Sequence, residues 1–434
     1  MSDPIASRFE VVARRRPVEV GRDLPGPVLA PYVAVEQPVA GDRVELALAS
    51  GGTELRGWWD SGSTGLVVAA GGRTTRHRSR RHGRTTGRVT AAALALTGTH
   101  LTLLTREEEG GSQRWLARGR VDLRDRVDTH DEAWLAGLAA TAGGPLRGFG
   151  QLGLRDLRVV SNADGTAYRP DGPDGPVLLT ATSAGPGFFD TAHTSVWSLD
   201  PGTLALAHRA DLFFRRPDRP GVYGDHATHL LRDGDRWLVA TSTWGDFDRR
   251  RPVRVTLAES SADLTTGRHV LDTRELPLPT DGLRSVAVWD PHLARTDDGW
   301  LVGYVSARRY FRFHPALAAG PTLADLSLRA ADAAPRECEG TTLLRVADGW
   351  RVLASDKRRR AYPVHDLDLR PLGTLDAPYL TNIPWPTLVE VEVDGAWLMV
   401  GFDATPAAGP LPGYGTHGDV VVLRAEGPGG PPLA

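Results

Sequence analysis

The sequence predicts an all-β chain, a five-bladed β-propeller preceded by a β-sandwich of the jelly-roll kind. Three observations carry that prediction. Forty-nine glycines and 32 prolines against two methionines imply many tight turns between short strands. One hairpin pattern recurs through the C-terminal two-thirds. The N-terminal third has short apolar strands between glycine-rich turns, without that pattern.

The recurring unit is an apolar strand, a tight Asp-Gly turn, and a tryptophan opening a second apolar strand. Four segments share it: RDGDRWLVATST from Arg232, RTDDGWLVGYVS from Arg295, RVADGWRVLASD from Arg345 and VEVDGAWLMVGF from Val391. Their tryptophans, Trp237, Trp300, Trp350 and Trp397, lie 63, 50 and 47 residues apart, the spacing of propeller blades. A weaker fifth copy starts at Arg155. Dividing roughly 275 residues by five gives about 55 per blade, room for four strands and their loops.

Before the repeats, RVELALASGG, GLVVAAGG, RVTAAALALTG and HLTLLTRE read as sandwich strands. DTHDEAWLAGLAATAGGPL, near 128 to 146, reads as a short linking helix. The expected division is therefore residues 1–145 as sandwich, 146–426 as propeller and 427–434 as a disordered tail.

Composition narrows the function classes. Fifty-one basic and 53 acidic residues leave a net charge of −2, which predicts neither nucleic acid nor membrane as partner. Cys338 is the only cysteine, so no intramolecular disulfide forms. The opening MSDPIASRFEVVARRR lacks a secretory pattern, and a cytoplasmic location is expected.

Reading back from each turn to the start of its strand gives Arg155-Asp156, Asp225-His226, Asp290-Pro291-His292, Glu339-Gly340 and Trp385-Pro386. Four repeats thus offer an acid where blades line a central funnel. Converging carboxylates repel and raise one another's pKa, which suits acid and base chemistry. In RECEG, Glu337 and Glu339 are two apart and share a strand face, with Cys338 on the other.

These motifs resemble, in order and spacing, those of the five-bladed propeller glycoside hydrolases of families 43 and 32. WDPHL at 289 to 293 is similar to an Arg-Asp-Pro-His segment, with Trp289 in place of arginine. ECEG at 337 to 340 resembles the Glu-Gly-Pro and Glu-Cys motifs that carry the general acid, with Thr341 in place of proline. RDLRV at 155 to 159 falls where family 43 places its base. The resemblance implies Asp156, Asp290 and Glu339 as catalytic acids, with Glu339 the proton donor. Glu337 is then a substrate contact, or itself the donor in the family 32 register. YGTHGD at 414 to 419 is similar to a histidine-bearing segment near a central ion, so a structural cation in the channel is expected as an option, and no cofactor as a requirement.

The expected substrate contacts are Arg155, Asp225, His226, Trp289, His292, Glu337, Trp385 and His417. No HxH, HExxH or CxxC spacing occurs, which argues against a catalytic metal. Trp244, Trp289 and Trp385 lie near enough to the funnel to stack on a sugar. Tyr310, Phe311 and Phe313 form either a rim or a hydrophobic seam. RTTRHRSRRHGRTTGR, residues 73 to 88, holds seven arginines and reads as a solvated loop or an anion site. The leading function is a glycosidase, with a furanoside such as an arabinofuranoside favoured. The alternatives are a non-catalytic glycan-binding propeller and a biosynthetic enzyme with a non-glycan substrate. Oligomeric state stays open.

Overall fold

The computed structural model describes residue 4 and residues 7–391, 395–406 and 417–425. Five sheets follow one another among these residues from Leu154 onward. Each begins with the strand singled out above: Leu154–Val159, His226–Asp233 (with Ser161–Asn162 beside it), Ala287–Thr296, Cys338–Val346 and Thr387–Val391. The Asp-Gly-Trp turns join first to second strands in the second, third and fourth sheets. Arg232, Arg295 and Arg345 stand directly opposite Trp237, Trp300 and Trp350 across those hairpins. Arg232 and Arg295 lie over their tryptophan rings, at 5.0 and 5.8 Å from the centroids.

The first strands close into a ring, and side-chain bonds stitch neighbour to neighbour. Ala227 N donates to Thr182 Oγ1 at 3.3 Å, Leu293 N to His229 Nδ1 at 3.0 Å and Leu343 N to His292 Nδ1 at 3.2 Å. Gly340 lies against the Trp385 ring, and Thr387 Oγ1 donates back to the Leu157 carbonyl. This is propeller architecture. The last sheet runs Thr387–Val391, Ala396–Pro406, His417–Ala425 and then Glu10–Arg15, so a strand from the start of the chain completes it. Residues 10 to 15 therefore pack with the ring, although the sequence places them with the N-terminal unit.

Between that strand and the ring lie two sheets, of six and five strands, packed around one apolar core that includes Val33, Leu46, Leu66, Leu94 and Leu103. The strand Leu146–Gln151 belongs to the first of them, so this unit runs past residue 145. Thr53–Asp60 follows Arg43–Ser50 within one sheet, and His100–Glu109 follows Arg88–Thr97 within the other. Consecutive strands thus meander within a sheet, where a jelly roll alternates between two. The helix read near 128 to 146 spans only Glu132–Ala136, capped by Asp131, whose carboxylate accepts from Ala133 N at 2.8 Å. Residues 427–434 lie outside the described residues. No described helix is long and apolar enough to cross a membrane.

Candidate active site

In four of the five first strands the ladder slips at one bulge, between Arg155 and Arg158, His226 and His229, Trp289 and His292, and Glu339 and Thr342. Each bulge holds a residue at positive φ: Asp156 at 49°, Ala227 at 59°, Asp290 at 56° and Gly340 at 70°. The first three are strained, since a side chain rarely adopts this conformation. The strain turns Asp156 and Asp290 off the strand and into the ring's mouth.

A cavity of about 170 Å³ opens there. Arg155, Asp156, His226, Trp289, Asp290, Glu337, Glu339 and Trp385 all line it. Eight of the eleven residues expected from the sequence are therefore brought together, including all three expected catalytic acids. Glu337 and Glu339 both face it, and Cys338 turns into the protein, fully buried.

The acids differ in their surroundings. Burial, then the nearby Asp156 charge, pushes Glu339 up to about 8, although the Trp289 indole hydrogen-bonds it. Burial and Glu339 hold Asp290 well above the usual carboxylate range. The pair keeps a proton near neutrality. Gly340 N points at Asp290 Oδ2 from 3.4 Å, tying one acid to the strand that bears the other. Glu337 accepts from Lys357 Nζ at 2.6 Å and from Arg358 Nη2 at 3.3 Å.

In the lining, His226 Nε2 and Trp385 Nε1 have no hydrogen-bond partner among the described residues. His226 Nδ1 bonds the Gly224 carbonyl at 3.1 Å, and burial lowers its pKa to about 4. Neutral at pH 7, it presents Nε2 as an acceptor, and Trp385 presents a donor.

Three expected contacts fall elsewhere. Asp225 is fully buried, paired with Arg216 and accepting from Gly245 N at 3.0 Å, because it precedes the bulge rather than occupying it. His292 stacks on His229 with centroids 4.1 Å apart and lines a separate cavity of about 300 Å³. The His417 side chain lies outside the described residues.

Three residues past each bulge start come Arg158, His229, His292 and Thr342, which fill the channel beneath the acids. Arg158 donates to Thr342 Oγ1 at 3.1 Å and to the Asp290 carbonyl at 3.0 Å, and its guanidinium lies 4.4 Å from the Trp385 ring centroid. Burial lowers its pKa to about 10, so it stays charged at neutrality beneath two aspartates. These residues do not fit a metal ion. Both histidines spend Nδ1 on backbone N–H groups, and the chain's own guanidinium supplies the charge. No group of three or more His, Cys, Asp or Glu able to hold a metal occurs among the described residues.

Opposite the acids stands an aromatic wall that sequence reading found only in part. Tyr310, Phe311 and Phe313 are joined by Trp244 and by Phe188, Phe189 and Phe247, from loops of the first two sheets. Phe189 packs on Trp244 at 4.6 Å, Trp244 on Trp289 at 5.3 Å and Phe247 on Tyr310 at 5.3 Å. Both alternatives for Tyr310, Phe311 and Phe313 hold at once, since a hydrophobic seam forms part of the cavity wall. The tryptophans of the repeat turns lie outside this wall, with Trp237 and Trp397 deep in core clusters. The 73–88 run forms the edge strand Arg73–His77 and the loop after it, with Arg78 over Trp58 at 5.3 Å. Cations on an edge also discourage pairing with other chains.

No protein-family profile matches the sequence, and no curated protein matches it. Among solved structures, a Penicillium chrysogenum α-L-arabinanase complexed with arabinobiose is 10% identical, over 95% of this chain and 98% of that one, with a TM-score of 0.36. The β-xylosidase RS223 is 12% identical over 63% and 92%, with a TM-score of 0.43. A family 117 glycoside hydrolase from Zobellia galactanivorans is 10% identical over 64% and 92%, also at 0.43.

Proposed function

We propose that this chain is a glycoside hydrolase, that its five sheets are five blades, and that the bond is cleaved in the cavity at the ring's mouth. One observation carries the reading: Asp156, Asp290 and Glu339, from three different sheets, line one cavity, with Glu339 pushed up to about 8. Cleaving a glycosidic bond needs one carboxyl that is protonated at neutrality and one that is not.

Glu339 gives its proton to the leaving oxygen. Asp156 activates water or attacks the anomeric carbon. Asp290, bonded to the Gly340 N–H, holds the donor strand in place, while the Asp156 charge opposes ionisation of Glu339. His226 Nε2 and Trp385 Nε1 take sugar hydroxyls, and a furanoside such as an arabinofuranoside is the favoured substrate. A non-glycan substrate of a biosynthetic pathway is the second reading, favoured by the apolar wall.

The test compares Glu339→Gln and Glu337→Gln on glycosides with poor and activated leaving groups. Glu339→Gln lowers turnover of the poor substrate by roughly 10²-fold to 10⁴-fold and spares much of the activated one. Asp156→Asn damages both alike. If Glu337→Gln alone shows the leaving-group dependence, Glu337 is the donor. If no variant shows it while the wild type is active, the acids are not the catalytic groups.

A further inference from the structure

The hairpin between the second and third strands of the third sheet reads RRYFRF, residues 308 to 313. Its aromatics Tyr310, Phe311 and Phe313 line the cavity, and its arginines Arg308, Arg309 and Arg312 do not. Arg309 and Arg312 stand directly opposite each other across the turn. Beside them runs residue 336, since Phe313 N donates to the Arg336 carbonyl at 2.9 Å. Residue 357 comes next, its N–H bonded to the Glu337 carbonyl at 3.0 Å. Three segments distant in sequence thus gather Arg308, Arg309, Arg312, Arg336, Lys357 and Arg358 around one side of the mouth.

Only part of this charge is answered. Glu337 takes Lys357 and Arg358, and Asp356 takes Arg359 at 3.7 Å. Arg308, Arg309, Arg312 and Arg336 have no carboxylate partner among the described residues. Arg336 is the strongest of the neighbours that push the Arg312 pKa below its usual value, followed by Arg309, Arg308 and Arg358. Like charges held together repel, and a chain of net charge −2 has acids enough to avoid the cluster. Phe311, 57% exposed, stands in the middle of it with Arg249 5.9 Å from its ring centroid. A large exposed ring at a cavity mouth, flanked by unpaired guanidinium groups, is suited to a ligand with an apolar body and an anionic end.

We propose that the substrate carries an oxyanion, a phosphate, sulfate or carboxylate, on its leaving group, and that Arg308, Arg309, Arg312 and Arg336 receive it while the scissile bond lies over the acids. This rests on the glycosidase reading for the bond that is cleaved, and on the hairpin geometry for the anion. Guanidinium groups present paired N–H donors matched to such oxyanions. The contact is solvent-exposed, so salt weakens it over a Debye length of about 10 Å at 0.1 M.

The experiment uses the whole chain and two aryl glycosides of one sugar, equal in leaving-group acidity, one with a sulfonate on the ring and one neutral. The wild type favours the anionic substrate by roughly tenfold in kcat/KM at low ionic strength, and the preference shrinks with added salt. In Arg312→Gln/Arg336→Gln, whose changes are at the surface, the ratio falls toward one while the melting temperature is kept. An active wild type with no preference, or a variant that keeps the full preference, overturns the proposal. If neither glycoside is cleaved, the glycosidase reading fails by itself. Calorimetric titration with inorganic pyrophosphate at low salt then decides on the rim, because binding that the double variant loses supports it. Absent binding, or equal binding by both proteins, overturns it.

Discussion

Arg158 reaches from the first sheet to the third, its Nη2 donating to the main-chain carbonyl of Asp290 at 3.0 Å. One side chain therefore fixes the backbone of one aspartate from below and lends positive charge to Asp290 and Asp156. Arg158→Met leaves Asp290 without its cation and Asp156 with Arg155, at 3.9 Å, and should cost about 3–5 kcal/mol in urea unfolding. Arg158→Lys should recover only part of that loss, because a single ammonium cannot serve Thr342 Oγ1 and the Asp290 carbonyl in the same planar geometry.

The alkaline limb of kcat/KM should follow Glu339. As the proton donor it is active in its neutral form, so activity falls as pH rises through about 8. The positive charge of Lys357 lowers the Glu339 pKa. Lys357→Met removes it, and the limb should move to higher pH. A pH–rate profile whose limb stays put, or moves down, would contradict this placement of the charge.

Replacing the Glu339 carboxyl should raise stability where it lowers activity. The folded pKa of Glu339 lies above its unfolded value of 4.5, so the folded state holds the proton more tightly. Its contribution is full below about pH 4.5 and is lost as pH rises toward about 8. Glu339→Gln has no such loss. Relative to wild type it should gain at least about 1 kcal/mol between about pH 5 and about pH 8, read from denaturant midpoints at each pH.

At the bulges, the backbone makes its own prediction. Gly340 has φ 70°, and a Cβ there would overlap the Trp385 ring. Gly340→Ala should cost about 1–3 kcal/mol and lower activity, because Trp385 and the N–H facing Asp290 must both shift. Ala227, at φ 59° in the equivalent place, should tolerate glycine with little change in the thermal midpoint.

The site was legible in the sequence where it is local. A turn such as Asp-Gly-Trp fixes its own hairpin, so counting back from Arg295 and Arg345 set Asp290 and Gly340 at equivalent places, and both occupy bulges. The same counting misplaced Asp225 because the bulge there begins with His226, and an acid one residue early is buried against Arg216 instead. The aromatic wall and the arginine rim were not legible as units. Phe188, Phe247 and Phe313 come from three sheets, and Arg312 meets Arg336 only because Phe313 pairs beside it. Glu10–Arg15 was missed for another reason. Only Ala13 in it is buried, so no periodic apolar pattern marks it as a strand.

That strand has a consequence for how the molecule is made. Glu10–Arg15 lies beside His417–Ala425, and Arg14 is bonded to Asp419, 405 residues further along the chain. A ribosome releases the first partner long before the second exists, so the strand emerges with both edges bare and waits through the synthesis of the four ring sheets that precede the one it joins. The two-sheet unit between Glu19 and Gln151 can fold in the meantime, and its contacts to the first sheet, such as Arg22 to Asp211 at 3.2 Å, keep the waiting segment tethered near its eventual place. In the finished fold Val11 and Val12 stay exposed, and only Ala13 of the strand is buried. Sealing the circle thus cannot precede the synthesis of the last strand, and a fusion or cut just after Arg15 acts on that seal.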